Sequence, residues 1–327
     1  MAKIVLGIGT SHSPQLSVPG DLWDTYAERD KRNPGLYRIP DGKHVTYEEL
    51  LDEPHPGIEK QLTSEVFQAR HEANQAGISK LAEVMEKANP DVIVMFGDDQ
   101  SEVFSADFMP AMCVFWGDTV PFSRRSFGNR DAAMEAIDGY YSRPEKEYPV
   151  HAKLGKHIIE SLSTDDFDIM HARTIGEGKS ISHAFGFVWN RLMGDKITQT
   201  VPIHINTYFS PNQPTPLRSW ELGQSVRKAV ESWDNDLRVA VLGSGGFSHF
   251  VVDEEIDQNC IKALEGKNTK AIGALPLERL QSGTSEVRNW FAAAGAAEEL
   301  DMHMVDYVPC YRSVAGTGCA MGFAYWS

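Results

Sequence analysis

Two stretches set a histidine just beyond a glycine-rich strand end. One is Gly243-Ser244-Gly245-Gly246-Phe247-Ser248-His249, which follows the apolar run 237–242. The other is Gly7-Ile8-Gly9-Thr10-Ser11-His12-Ser13-Pro14, which follows residues 3–6. Glycine lets a ligand come close to the main chain. In open α/β sheets, ligands collect beyond the carboxyl ends of strands. An imidazole there can gain or lose a proton near neutral pH. A third polar strand end is expected where the apolar run 91–96 meets Gly97-Asp98-Asp99-Gln100. Ser182-His183 opens the apolar stretch 185–192, and Glu286 falls in the first turn of a helix expected from residue 284.

Several chemistries are excluded by spacing. Gly7-x-Gly9 starts like a dinucleotide fingerprint, but His12 stands where the third glycine is needed. Neither Ser244 nor Ser248 makes Gly-x-Ser-x-Gly, because Leu242 and Phe250 hold the required positions. There is no His-Glu-x-x-His zinc motif. Lys plus Arg minus Asp plus Glu is 31 − 46 = −15, which argues against a nucleic-acid or anionic-membrane surface. Cys113, Cys260, Cys310 and Cys319 form no Cys-x-x-Cys pair, so neither a zinc knuckle nor a disulfide framework is indicated. No signal-peptide pattern or membrane-length apolar run is read, and a reducing cytoplasm is the expected compartment.

The elements that must position these groups alternate. Strands are expected at 3–7, 91–96, 111–115, 168–172, 201–207, 237–242, 302–309 and 319–326. Helices are expected at 65–88, 151–162, 217–233, 253–264 and 284–300. An apolar content of 42% supports a sizeable core. This alternation predicts one α/β domain over 1–327, with a central mixed or parallel sheet flanked by helices on both faces. Residues 18–57 and 117–148 read as long irregular excursions near the site, the second holding Arg124, Arg125, Arg130 and Arg143.

Taken together, Thr10-Ser11-His12-Ser13-Pro14, Asp99-Gln100, Ser182-His183, the 243–249 stretch and Glu286-x-x-x-Trp290 resemble a known family. They are similar to the catalytic subunit of class III extradiol ring-cleavage dioxygenases of the protocatechuate 4,5-dioxygenase type, nearest to methylgallate-cleaving members. The resemblance implies a non-haem Fe(II) held by two histidines and a glutamate, with open positions for a catecholate and O2. It makes His12 and Glu286 metal ligands. The family's second histidine falls at Gln100, so the third donor is Gln100, Asp98 or Asp99, or a histidine from elsewhere such as His44, His55 or His71; Gln100 is favoured. His249 becomes the main acid/base and His183 its partner.

The implied substrate is a small catechol or gallol acid such as protocatechuate, gallate or 3-O-methylgallate. Asp99, Arg312 and Ser313, with Arg124 or Arg125, are the candidates for contacting it, since an arginine fork suits a carboxylate. The expected assembly is a homodimer without a separate small subunit, the 18–57 excursion acting as the lid. A metal-dependent hydrolase or amidase, or a non-catalytic member acting through protein contacts, are the alternatives.

Overall fold

The computed structural model describes residues 1–53, 55–123, 131–137, 145–194 and 196–327. In chain order the strands are β1 (Lys3–Thr10), β2 (Val92–Gly97), β3 (Met112–Phe115), β4 (Thr119–Phe122), β5 (Lys146–Pro149), β6 (Met170–Ala172), β7 (Gln199–Ile205), β8 (Arg238–Ser244), β9 (His249–Val251), β10 (Met302–Tyr311) and β11 (Thr317–Trp326). The main sheet runs β10-β11-β1-β8-β2-β7-β3-β6, and β9 pairs with β11. β1, β8, β2 and β7 are mutually parallel neighbours. The sheet is mixed because β11 runs antiparallel to β1, and β3 antiparallel to β7.

The parallel strands are apolar because both of their faces are covered. Val92, Val94 and Phe96 of β2 join Val239, Val241 and Ile203 in one core. Ile93 and Met95 point the other way and join Leu6, Ile8 and Leu242 in a second. The helices are α1 (Trp23–Ala27), α2 (Tyr47–Leu51), α3 (Ser64–Ala88), α4 (Ala132–Ile137), α5 (Ala152–Thr164), α6 (His183–Phe187), α7 (Pro216–Glu231), α8 (Glu254–Glu265), α9 (Thr269–Gly273) and α10 (Val287–Ala296). α7 and α10 cover the first face, and α3 covers the second. Local sequence sets the helix limits. Thr63 accepts the Val66 N–H at the start of α3, and Asn89, in the left-handed region at φ 45°, closes it before Pro90. Among the described residues, no helix is long and apolar enough to cross a membrane.

Two expectations need correction. The 117–148 segment is not simply irregular: β4 and β5 pair antiparallel and bury Val120, Phe122 and Tyr148, and α4 lies between them in sequence. Short strands interrupted by Pro121 and Pro149 gave no clean alternation in the sequence. Glu286 is not in the first turn of an α-helix. It ends the 3-10 turn Ser282–Glu286 and stands at the position just before α10, making no side-chain cap bond to it. Gly283 and the three hydroxyl residues Ser282, Thr284 and Ser285 favour such a tighter turn over an extra α turn.

Register puts the chemistry at one edge. Thr10 stands beside Ser244, Phe96 beside Gly243, and Gly97 beside His204. The carboxyl ends of four neighbouring parallel strands are therefore level, and the residues after them share one layer.

Candidate metal centre and active site

His12 leaves β1 on a pinned backbone: the Ser11 N–H donates to the Gly322 carbonyl, and the Gly322 N–H donates back to Ser11 Oγ. Ser244 Oγ donates its only proton to the Ala184 carbonyl at 2.6 Å. At 3.1 Å from His12 Nδ1 it can therefore only accept. This places the His12 proton on Nδ1 and turns the lone pair of Nε2 toward Glu286 Oε2, 3.4 Å away. Burial lowers the His12 pKa to about 4, so the ring is neutral at neutral pH.

Glu286 is buried and engaged from four directions. Its Oε2 accepts the Gly246 N–H at 2.8 Å. Its Oε1 accepts the Tyr208 hydroxyl at 2.8 Å, and Gln100 Nε2 and His249 Nε2 each lie 3.2 Å from it. Burial opposes ionisation, but the charge and hydrogen bond of His249 outweigh it and hold the carboxyl below the ordinary carboxylate range. Burial likewise opposes charging His249. The Glu286 carboxylate and the Phe247 carbonyl, 2.7 Å from Nδ1, together raise that imidazole to about 9.

The glycines of the 243–249 stretch are explained by this contact. A Cβ on Gly243 would stand 2.4 Å from the Asn289 carbonyl, and one on Gly245 2.5 Å from the Glu286 carbonyl. Only glycine lets the start of α10 lie against the end of β8.

After β2, Asp98 is fully buried. Asn289 Nδ2 donates to its Oδ1 at 3.1 Å, and its Oδ2 has no hydrogen-bond partner among the described residues. Burial, with the Glu286 and Glu102 charges beside it, pushes this carboxyl well above its ordinary range. Ligand atoms of His12, Asp98 and Glu286 all lie within 4.8 Å of one another. An imidazole lone pair facing a carboxylate, next to an unsatisfied buried carboxyl oxygen, is a donor set that a divalent cation satisfies. These residues form a possible metal site.

The other expected residues divide in two. His183 and His249 line the same cavity of about 130 Å³ as His12, Gln100 and Glu286, with Tyr26, Tyr208, Phe250 and Cys319 in its walls. His183 Nδ1 lies 2.5 Å from Glu102 Oε1, and its ring stands edge-on to His12 with centroids 5.0 Å apart. Asp99 is not among the residues lining the cavity. It accepts the N–H groups of Ser101, Val103 and Phe104 and so shapes the turn that carries Gln100 and Glu102.

Arg312 is buried behind the wall. It makes a two-pronged pair with Asp30 at 2.7 Å on both prongs and donates to Gln15 and Cys319. Ser313 bonds Thr317. Neither is brought to the cavity surface. Arg124 and Arg125 lie outside the described residues. His44 bonds the Pro34 carbonyl, His71 interacts with Val18, and His55 lies against Gly316, so none of these three joins the cavity.

Tyr208, Glu102 and Ser244 were missed as site residues. Tyr208 follows β7, the fourth strand of the level set, and the polar-strand-end argument would have found it had β7 been placed beside β2.

Two outcomes test this geometry. Gly245→Ala forces backbone against backbone and should destabilise the protein by about 1–3 kcal/mol; an unchanged urea midpoint would contradict the close approach. Arg312→Met leaves Asp30 buried without its partner and should cost about 3–5 kcal/mol, with Asp30→Leu added to it recovering most of the loss. If the single variant unfolds at the native midpoint, the pair is not the support described.

A family model described as the catalytic LigB subunit of aromatic ring-opening dioxygenase matches residues 50–320. Asp98, Gln100, His183, His249 and Glu286 fall inside the match, and His12 precedes it. The chain is similar to a gallate dioxygenase of Pseudomonas putida, 36% identical over 112 residues, 33% of this chain and 32% of that protein. It is also similar to 2,3-dihydroxyphenylpropionate/2,3-dihydroxicinnamic acid 1,2-dioxygenases. That of Photorhabdus laumondii is 29% identical over 52% of this chain and 46% of the relative. That of Mycolicibacterium smegmatis is 27% identical over 63% of this chain and 55% of the relative. These alignments thus span from about a third to just over half of the relatives' length. With the family model covering most of the chain, including the ends of β2, β7 and β8 and the start of α10, the protein belongs to the LigB family of aromatic ring-opening dioxygenase catalytic subunits.

Proposed function

We propose that this chain is an Fe(II)-dependent extradiol dioxygenase that opens the ring of a single-ring catechol or gallol acid. It would add both atoms of O2, so that ring and oxygen appear together in one acyclic product. The observation that carries the reading is the convergence of His12, Asp98 and Glu286, two of which, His12 and Glu286, line a cavity together with His183 and His249. Imidazole with carboxylate suits ferrous iron, which supplies the redox chemistry that lets O2 react with a diol. A cavity of about 150 Å³ holds a benzene ring, so the size found here suits a single aromatic ring.

The chain's own residues divide the proton work. The Glu102 carboxylate takes the Nδ1–H of His183, so proton exchange at that ring falls to Nε2, which suits removal of a hydroxyl proton from the entering diol. His249 is held charged by Glu286 and is placed as the donor that returns a proton as the ring opens. Phe250, Pro14 and Tyr26 provide apolar wall against which a ring can lie. Among the described residues no arginine or lysine lines the cavity, so an acid group on the ring would point to its mouth. Asp98 is favoured over Gln100 as the third ligand, because it belongs to the cluster with His12 and Glu286, a carboxylate is a stronger donor to a divalent cation than a neutral amide, and its Oδ2 has no hydrogen-bond partner among the described residues. Four buried free thiols suit a reducing cytoplasm.

Anaerobic Fe(II) titration tests the ligands. Glu286→Ala should lose the metal, and Asp98→Asn should weaken binding by at least about tenfold, while Gln100→Ala should weaken it far less. The reverse order would hand the third position to Gln100. Oxygen uptake with protocatechuate, gallate, 3-O-methylgallate and catechol tests the reaction. The native protein should consume one O2 per ring and form a coloured open-chain product. His249→Gln and His183→Gln should keep iron but slow turnover roughly 100-fold or more. Product without oxygen uptake would indicate a hydrolase instead, and neither product nor uptake with any diol would end the proposal.

A further inference from the structure

The loop after β7 is built to hold one side chain. Asn206 ties it across: its Oδ1 accepts the Phe209 N–H at 2.9 Å, and its Nδ2 donates to the Phe209 carbonyl and to Asn212 Oδ1. The Asn206 N–H is anchored on the Ala111 carbonyl, and Gln213 holds the Thr207 carbonyl. The residue inside this frame is Tyr208, whose hydroxyl lies 2.8 Å from Glu286 Oε1. It is the shortest of the three side-chain contacts to that oxygen, the others being 3.2 Å. Glu286 Oε2 faces His12 Nε2 instead and accepts the Gly246 N–H. The two oxygens of one carboxylate are thus in unlike surroundings. One is saturated by side-chain donors, and the other is turned to the cluster.

We propose that Tyr208 is a positioning residue that occupies Glu286 Oε1, so that Glu286 binds a divalent metal through Oε2 alone. This rests on the metal reading above. A carboxylate free to turn would offer both oxygens and fill a position that a diol needs. The phenol stops that turn without taking a coordination place itself. It does so from a rigid loop, so its donor needs no reordering when metal arrives.

Tyr208→Phe keeps the ring and removes the donor. Apo-protein and variant are titrated with Co(II), a probe whose visible absorption weakens as coordination number rises. The variant should bind Co(II) at least as tightly as the native protein and show a weaker visible band. With Fe(II), its KM for the diol should rise roughly tenfold while kcat changes much less, the split expected when substrate binding loses its place. The unfolding temperature of the metal-free variant should fall by no more than the loss of one hydrogen bond to the buried carboxylate accounts for, and a pure packing effect would not move the Co(II) band. The inference is overturned if band and KM are both native-like, or if the variant loses metal as Glu286→Ala does. A native protein that takes up no Co(II) sinks the metal centre and this inference together. A band that responds to Tyr208→Phe in a protein that consumes no O2 leaves this inference standing and removes the ring-opening reaction.

Discussion

A single ionised carboxylate, buried where water cannot solvate it, organises this protein. Burying such a charge is costly unless it is hydrogen-bonded and paired. Glu286 meets that demand by drawing donors from remote parts of the chain: the Gly246 amide, the Tyr208 phenol, the Gln100 amide and the His249 ring. Each of these follows a strand of the parallel core. The glycines at the end of β8, the turn before α10 and the level register of β1, β8, β2 and β7 all serve to bring those donors within reach.

Much of this was written in local pattern. Fully apolar strands, alternating with capped helices, declared a covered parallel sheet. Three of them ended in polar residues, and those ends do meet. What was not legible depended on partners distant in sequence. Arg312 reads as a free fork for an acidic substrate until Asp30, far along the chain, is seen to fill it. Asp99 reads as a site carboxylate until its three backbone donors show that it shapes a turn. Asp98 and Gln100 are two residues apart, and Gln100 was favoured on the resemblance alone, because the Asn289 side chain of α10 that meets Asp98 lies far along the chain. Tyr208 was not singled out at all, and only the strand order, with β7 beside β2, brings it to the carboxylate.

The excursion over residues 18–57 changes character in the same light. Its Tyr26 lines the cavity, and its Asp30 neutralises a buried guanidinium that also lies over the Tyr26 ring at 4.9 Å. Removing the segment would strip Arg312 of its counter-charge, and the loss of turnover that followed would report unfolding as much as an uncovered site. Any role of this segment as a cover is better separated from its role as a support by changing Tyr26 alone.

The wide spacing of His12, Asp98 and Glu286 along the chain has a consequence for how the protein matures. While the polypeptide is being synthesised, the first imidazole and the first carboxyl are made long before the glutamate that joins them. A nascent chain therefore carries isolated donors rather than a chelating set, and stray cations gain little by binding it. A cation at this cluster would be taken up only after α10 closes onto the sheet, so its selection would fall to a finished protein and not to a growing one.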